Sequence, residues 1–319
     1  MKEYIGHTSQ LYSIEEHRLV GGKGDGMRLL EVNNGKGLMF TISADRCGDI
    51  SRMYFKGVNI AFFGPCGYVG PEYYDDKGLG FLKSMTGGFL TTCGLTAVGS
   101  PCVDNGEELP LHGTIANTPA ENIMYEIKEN SIYIKLVIRD ASLFSHKLLL
   151  TREYECSLNK NEIILRDTVE NIDFEETPYM ILYHMNMGYP LLTEKSIVTI
   201  NSKNITPRNE DAQKGLDSAV IMEKPQIGYI EQCFYHDMLS GFAKIYNPDL
   251  KFGVSINYNT DELPYFTEWK LMKSAEYVLG LEPGNCTPDG RDVMRKEGKL
   301  KFLKPGEKKA QTIIIKIEE

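Results

Sequence analysis

Ile123-Met124-Tyr125-Glu126-Ile127-Lys128-Glu129-Asn130-Ser131-Ile132-Tyr133-Ile134-Lys135-Leu136-Val137-Ile138 is the stretch whose reading decides the fold class. Two runs rich in Ile, Tyr and Val flank Glu129-Asn130, and Asn tolerates left-handed backbone while bonding its own main chain, so the pair suits a tight turn. Residues two apart share one face of a strand, so the spacing of Ile132, Ile134, Leu136 and Ile138 predicts a half-buried strand paired with its predecessor.

The pattern repeats outward in both directions. Strand-length apolar runs are predicted at residues 37–43, 58–63, 147–154, 162–169, 179–187, 228–234, 241–246, 252–258, 265–271, 277–282 and 311–317. Asn159-Lys160-Asn161 and Asn171-Ile172-Asp173 supply further turns, so consecutive antiparallel hairpins are expected. No helical periodicity longer than ten residues stands out; residues 80–85 offer one helical turn at most. More than a dozen strands exceed one comfortable open sheet, so the expected architecture is all-β, a large antiparallel β-sandwich of two packed sheets. One domain over residues 1–319 is the economical reading, with an irregular, Gly-, Pro- and Cys-rich loop region around 63–119 that contributes to the site.

Composition narrows the class of function. Of 319 residues, 42% are apolar and 25% charged, which predicts an ordinary packed core. A net charge of −9 without a basic block argues against nucleic acid, whose binding depends on clustered Lys and Arg. The amino terminus lacks the apolar core of a signal peptide and no window approaches a membrane span, so a cytoplasmic protein without a membrane partner is expected. The seven cysteines (47, 66, 93, 102, 156, 233 and 286) are scattered without a Cys-x-x-Cys pair, which predicts reduced thiols and no structural zinc. A homodimer is open to such a chain, although nothing in the sequence argues for one.

Three residues are candidates for the chemistry, each weighed against a purely structural role. His184, in Tyr183-His184-Met185-Asn186-Met187-Gly188, lies inside a run, residues 178–192, that reads as a central strand; a satisfied core histidine is the plain alternative, but alternation places it on one face with Met180, Leu182 and Asn186, whose amide can hold the imidazole tautomer or bind a hydroxyl. His112, in Leu111-His112-Gly113, lies in a polar turn, either as a site residue oriented by Asn117 and Glu121 or, equally, as a loop histidine bonding main chain. Glu282, in Gly280-Leu281-Glu282-Pro283, ends a predicted strand, where desolvation would raise a carboxyl pKa towards that of a general base; on spacing alone a solvated strand-end glutamate is the favoured reading, and only the company of the two histidines changes that. Two imidazoles and a carboxylate suffice for acid–base chemistry on a neutral polyol. Arg46 and Asp49 form a charged turn offering donors and an acceptor to vicinal hydroxyls, with an internal salt bridge as the equal alternative. Trp269, the only tryptophan, is a stacking surface for a sugar ring or else core, and His236 is a weaker candidate of the same kind as His184.

In order along the chain, the run 87–95 (Gly87-Gly88-Phe89-Leu90-Thr91-Thr92-Cys93-Gly94-Leu95), Leu111-His112-Gly113, Tyr183-His184-Met185-Asn186 and Gly280-Leu281-Glu282-Pro283 resemble the aldose 1-epimerase (galactose mutarotase-like) superfamily, and within it a divergent branch described as a domain of unknown function. The resemblance spans roughly residues 37–317. It implies a supersandwich of two antiparallel sheets, no metal, no organic cofactor and a small-molecule sugar substrate. It assigns His184 as the acid that protonates the ring oxygen, Glu282 as the base on the anomeric hydroxyl, and His112 as a donor to the ring oxygen or a neighbouring hydroxyl. The chain departs from the usual Asn-His pair at its second histidine, and the Asn-Arg sugar-binding signature is not recognisable. Arg46 with Asp49, and Lys83, Asn117, Asn186 or Lys270, are the residues offered in its place. Two alternatives stay open: a non-catalytic carbohydrate-binding protein, and a sugar isomerase or lyase using the same pocket with a divalent metal on His112, His184 and Glu282.

Overall fold

In the computed structural model, which describes residues 2–319, the opening hairpin forms as the sequence predicts; the first residue of the expected domain lies outside the described residues. Lys128 N–H donates to the Ser131 carbonyl at 2.8 Å, closing the two-residue turn between strands Ala120–Ile127 and Ser131–Ala141. Lys147–Ser157 and Glu162–Asn171 continue the antiparallel run.

The run of sequential hairpins ends there, because the next neighbour of Glu162–Asn171 is the carboxy-terminal strand Lys308–Glu318. A thirteen-stranded sheet then continues through Phe252–Tyr258, Gln232–Asn247, Tyr265–Lys273, Glu276–Gly284 and Thr177–Met187 to Lys301–Leu303. Leu90–Leu95 adds to Thr177–Met187, and Ile197–Pro207 to Gln232–Asn247. A second sheet of five strands runs from Ser13–Arg18 through Arg28–Asn33, Leu38–Ser43 and Asp49–Phe55 to Val58–Asn59. The fold is therefore the all-β antiparallel sandwich that the sequence predicts, with one sheet much the larger.

The two sheets share a single hydrophobic cluster. Ile132, Ile134, Leu136 and Ile138 of the long sheet pack into the same core as Leu30, Val32, Phe40, Ile42 and Met53 of the short one, all essentially inaccessible. Full burial of one such side chain contributes about 1.5–3 kcal/mol, so the shared core is the main attraction between the layers. A buried ionic centre joins them as well. Arg152, on the long sheet, reaches Asp49 of the short sheet at 2.5 Å and Asp167 of its neighbour strand at 2.6 Å. Tyr183 Oη donates to Asp167 at 2.9 Å.

Two differences from the sequence reading have physical causes. Leu90–Leu95 lies inside the loop region yet is a strand buried on both faces, which removes the alternation that would reveal it. Residues 232–234 and 241–246, from two runs expected as separate strands, belong to one sixteen-residue strand, Gln232–Asn247, while residues 228–231 precede it; its polar middle is absorbed by register shifts against Ile197–Pro207. Short α-helices form at Glu210–Lys214 and Arg291–Lys296. All seven cysteines are free thiols, and among the described residues no helix is long and apolar enough to cross a membrane.

Candidate active site

The strand Thr177–Met187 runs between Leu90–Leu95 and Glu276–Gly284. Alternation sends Tyr179, Ile181, Tyr183 and Met185 into the main core, and Met180 and Leu182 towards a smaller cluster on the other face. His184 and Asn186 share that second face. Met185 pairs with Leu281 and Leu182 with Gly284, and the same register sets His184 directly across from Glu282. Glu282 in turn pairs with Thr267, so His184, Glu282 and Thr267 occupy one rung over three adjacent strands. The next rung on the same face is Asn186, Gly280 and Trp269.

This face floors a cleft of about 530 Å³ lined by His112, His184, Glu282, Thr267 and Trp269. His112 enters from the loop. Its backbone is left-handed (φ 60°) and pinned on both sides: its N–H donates to the Gly99 carbonyl at 2.9 Å, and its carbonyl accepts from Gly94 N–H at 3.0 Å. The His112 ring stands 5.7 Å from the His184 ring, nearly perpendicular, and 5.3 Å from Phe81. Trp269 meets His184 edge-on at 5.0 Å between ring centres. Its indole N–H donates to Glu231 at 2.8 Å, which fixes the plane of the ring.

His184 Nε2 and Glu282 Oε1 lie 3.1 Å apart, both groups almost wholly buried. The approach is off the hydrogen-bond axis, and Oε1 has no other partner. His184 Nδ1, His112 Nδ1 and Thr267 Oγ1 are likewise buried and unpartnered, so polar capacity is concentrated at the cleft floor. Burial disfavours every charged form here. It depresses His184 to about 4, opposed by Asn186, and His112 to about 3, with His184 and Arg208 adding to the effect. Burial also pushes the Glu282 carboxyl well above the usual carboxylate range, reinforced by Glu231 and opposed by Arg208. Both shifts favour the uncharged forms: an imidazole that resists a second proton beside a carboxyl that holds its proton more tightly than usual.

Not every residue singled out in the sequence lines this cleft. Arg46 is buried, donating to the carbonyls of Ala116, Val69 and Ser84 at 2.7–2.9 Å, so it ties loops together. Asp49 is spent on Arg152 and on the Thr92 N–H and hydroxyl, and the Arg46–Asp49 turn borders a separate, small recess. Lys83 is exposed and paired with Asp75 at 2.7 Å. Asn117 accepts from the Ser84 hydroxyl at 3.2 Å, well inside the loop packing. Asn186 is buried beside the floor and donates to the His184 carbonyl at 3.0 Å. His236 bonds Glu268 at 2.9 Å and Ser202 at 3.0 Å. Lys270 donates to the Ser218 and Ile221 carbonyls at 2.9 and 2.7 Å. Glu268 and Lys270 alternate with the cleft-lining Thr267 and Trp269, which places their side chains on the opposite face of the sheet. Among the described residues no three His, Cys, Asp or Glu side chains gather as a metal-binding set, including the trio of the metal-dependent alternative.

Arg208, Glu231, Asp289 and Thr267 line the cleft and were not singled out in the sequence. Arg208 bonds Asp289 at 3.2 Å, the Ser100 hydroxyl at 2.8 Å and the Pro288 carbonyl at 3.0 Å. Tyr235 Oη also donates to Asp289, at 2.6 Å. Only the pairing of Thr267 with Glu282 marks that residue as part of the site; Arg208, Glu231 and Asp289 sit in short polar connections without a pattern.

A family model described as a domain of unknown function (DUF4432) matches residues 24–317. No curated protein matches the chain in sequence. Among solved structures, a proposed aldose 1-epimerase of Klebsiella pneumoniae is similar over 98% of this chain and 86% of its own, with TM-score 0.92 and 26% identity. A galactose mutarotase-like protein of Clostridium acetobutylicum matches over 97% and 99%, with TM-score 0.70 and 17% identity. Galactose 1-epimerase of Lactobacillus acidophilus matches over 97% and 99%, with TM-score 0.64 and 14% identity. The last two likenesses establish the fold.

Proposed function

Because the chain belongs to the DUF4432 family, a domain of unknown function, and carries the galactose mutarotase-like fold, we propose that it interconverts the anomers of a free aldose or modified sugar. The observation that carries this reading is the meeting of His112, His184 and Glu282, from a loop and two adjacent strands, in one cleft beside Trp269. The likeness to the Klebsiella protein supports it independently.

Anomer exchange opens a hemiacetal: a proton leaves O1, one reaches O5, and the C1–O5 bond breaks to a free aldehyde. Rotation about C1–C2 and reversal of the same transfers close the ring on the other face. O1 and O5 are bonded to the same carbon, so an acid and a base 3.1 Å apart can each serve one of them. Moving the shared proton from Glu282 to His184 turns an idle neutral pair into a carboxylate base for O1 and an imidazolium acid for O5, with no change in net charge. Hydrogen bonds from bound sugar replace the missing solvation of those charges. His112, held neutral, donates from one ring nitrogen to O5 or a neighbouring hydroxyl. Trp269 offers a face to the ring, while Arg208, Glu231 and Asp289 supply donors and acceptors to the remaining hydroxyls.

Exchange NMR of equilibrating anomers over a panel of aldoses tests the proposal. Acceleration by the wild type, lost on Glu282→Gln, supports it. Sugar binding without acceleration supports the non-catalytic alternative instead.

A further inference from the structure

Gly280 lies two residues before Glu282 on the same strand and therefore on the same face, between Asn186 and Trp269 on its rung. Nothing in its backbone asks for glycine: its φ is not positive, and an ordinary side chain would suit the strand. What a side chain would lack is space. A Cβ at this position would overlap Glu282 Oε1, stand 3.3 Å from Glu282 Cδ and lie 3.1 Å from Trp269 Cβ. The Glu282 side chain thus folds back along its own strand and fills the gap that the missing Cβ leaves. Oε1, the oxygen seated in that gap, is also the oxygen 3.1 Å from His184 Nε2.

We propose that Gly280 is a positioning residue, a notch in the strand that seats the Glu282 carboxyl against His184 and so sets the geometry of the proton-sharing pair. This rests on the acid–base reading of that pair. A methyl group at 280 drives the carboxyl out of the notch and away from the imidazole. Trp269, its ring fixed through Glu231, lies on one side of Gly280 and the buried Asn186 on the other, so the carboxyl moves towards the cleft. The charged and titratable groups around the displaced carboxyl are His184 on the adjacent strand, Glu231 and Arg208 on the far wall, and His112 on the loop.

The test compares Gly280→Ala, Glu282→Gln and the double variant. In kinetics, G280A lowers kcat for anomer exchange by about 10–100-fold with KM within about 2-fold, the size expected for a misplacement on the scale of an ångström. Because Gly280 acts only through Glu282, G280A adds nothing to E282Q. Wild-type kcat in G280A, or losses that multiply in the double variant, would overturn the proposal. A second readout does not depend on activity: nitrogen NMR of the His184 ring in histidine-labelled protein. G280A should move the His184 ring-nitrogen shifts away from wild type and towards those of Glu282→Ala, in which the carboxyl is absent; an unchanged His184 signal in G280A overturns the proposal even if no sugar proves to be a substrate. If G280A melts low, G280A with Glu282→Ala, which deletes the carboxyl that the methyl meets, should melt higher than G280A alone. Failure of that rescue counts against the notch.

Discussion

At the residue scale the account turns on a single proton. It rests on Glu282, whose pKa is raised well above its usual range, and passes to His184, depressed to about 4 and 3.1 Å away. The sign of the pH dependence follows. Below about pH 4, His184 takes a second proton while Glu282 keeps its own, so no base remains and kcat/KM falls. Above the raised pKa of Glu282 the pair loses its proton, no acid remains, and the rate falls again. The expected profile is therefore a broad bell whose acid limb lies well below the ordinary imidazole value of about 6.5. An acid limb at an unperturbed imidazole pKa would contradict the shared-proton pair. Of the residues offered from the sequence, His112, His184 and Glu282 stand in ordered motifs, and the fold gathers them in one cleft with Trp269. Arg46 and Asp49 misled because a charged turn that binds a diol and one that binds its own backbone look alike in sequence. Only the carbonyls of Val69, Ser84 and Ala116, far apart in the chain, show which it is.

The elements explain why the site is where it is. Thr177–Met187 is legible as a central strand because a long apolar and aromatic run carries polar residues on one face only, where His184 and Asn186 follow Met180 and Leu182. Leu90–Leu95 was not legible, since a strand buried on both faces carries no alternation, and Arg208 and Asp289 come from connections without a period. Tyr265–Lys273 brings the lone tryptophan to the cleft, which makes the protein its own binding probe. Adding a sugar that is turned over should change the intrinsic fluorescence in a saturable way. Trp269→Phe should raise KM by about 2–10-fold, the value of one aromatic contact. Sugar turnover with no fluorescence change would place the substrate away from Trp269.

Across the whole molecule, the two sheets are joined by a shared core and by the Arg152, Asp49 and Asp167 centre. Removing one partner of a buried ion pair leaves a charge without compensation, so Arg152→Met should lower the unfolding free energy by about 3–5 kcal/mol in a urea titration. A loss under 1 kcal/mol would show that the centre contributes little to joining the layers. The all-β class was readable from alternation alone, but the order of strands was not: the carboxy-terminal strand enters between Glu162–Asn171 and Phe252–Tyr258, a contact between distant parts of the chain that no local turn signals. That long-range closure builds the large sheet whose free face becomes the cleft floor. The most direct test of the central claim is anomer exchange measured by NMR, wild type against Glu282→Gln, at neutral pH over a panel of aldoses. The account predicts that the wild type accelerates exchange of at least one sugar and that E282Q lowers that rate by about 10²–10⁴-fold; full activity in E282Q, or no acceleration of any sugar by the wild type, would contradict it.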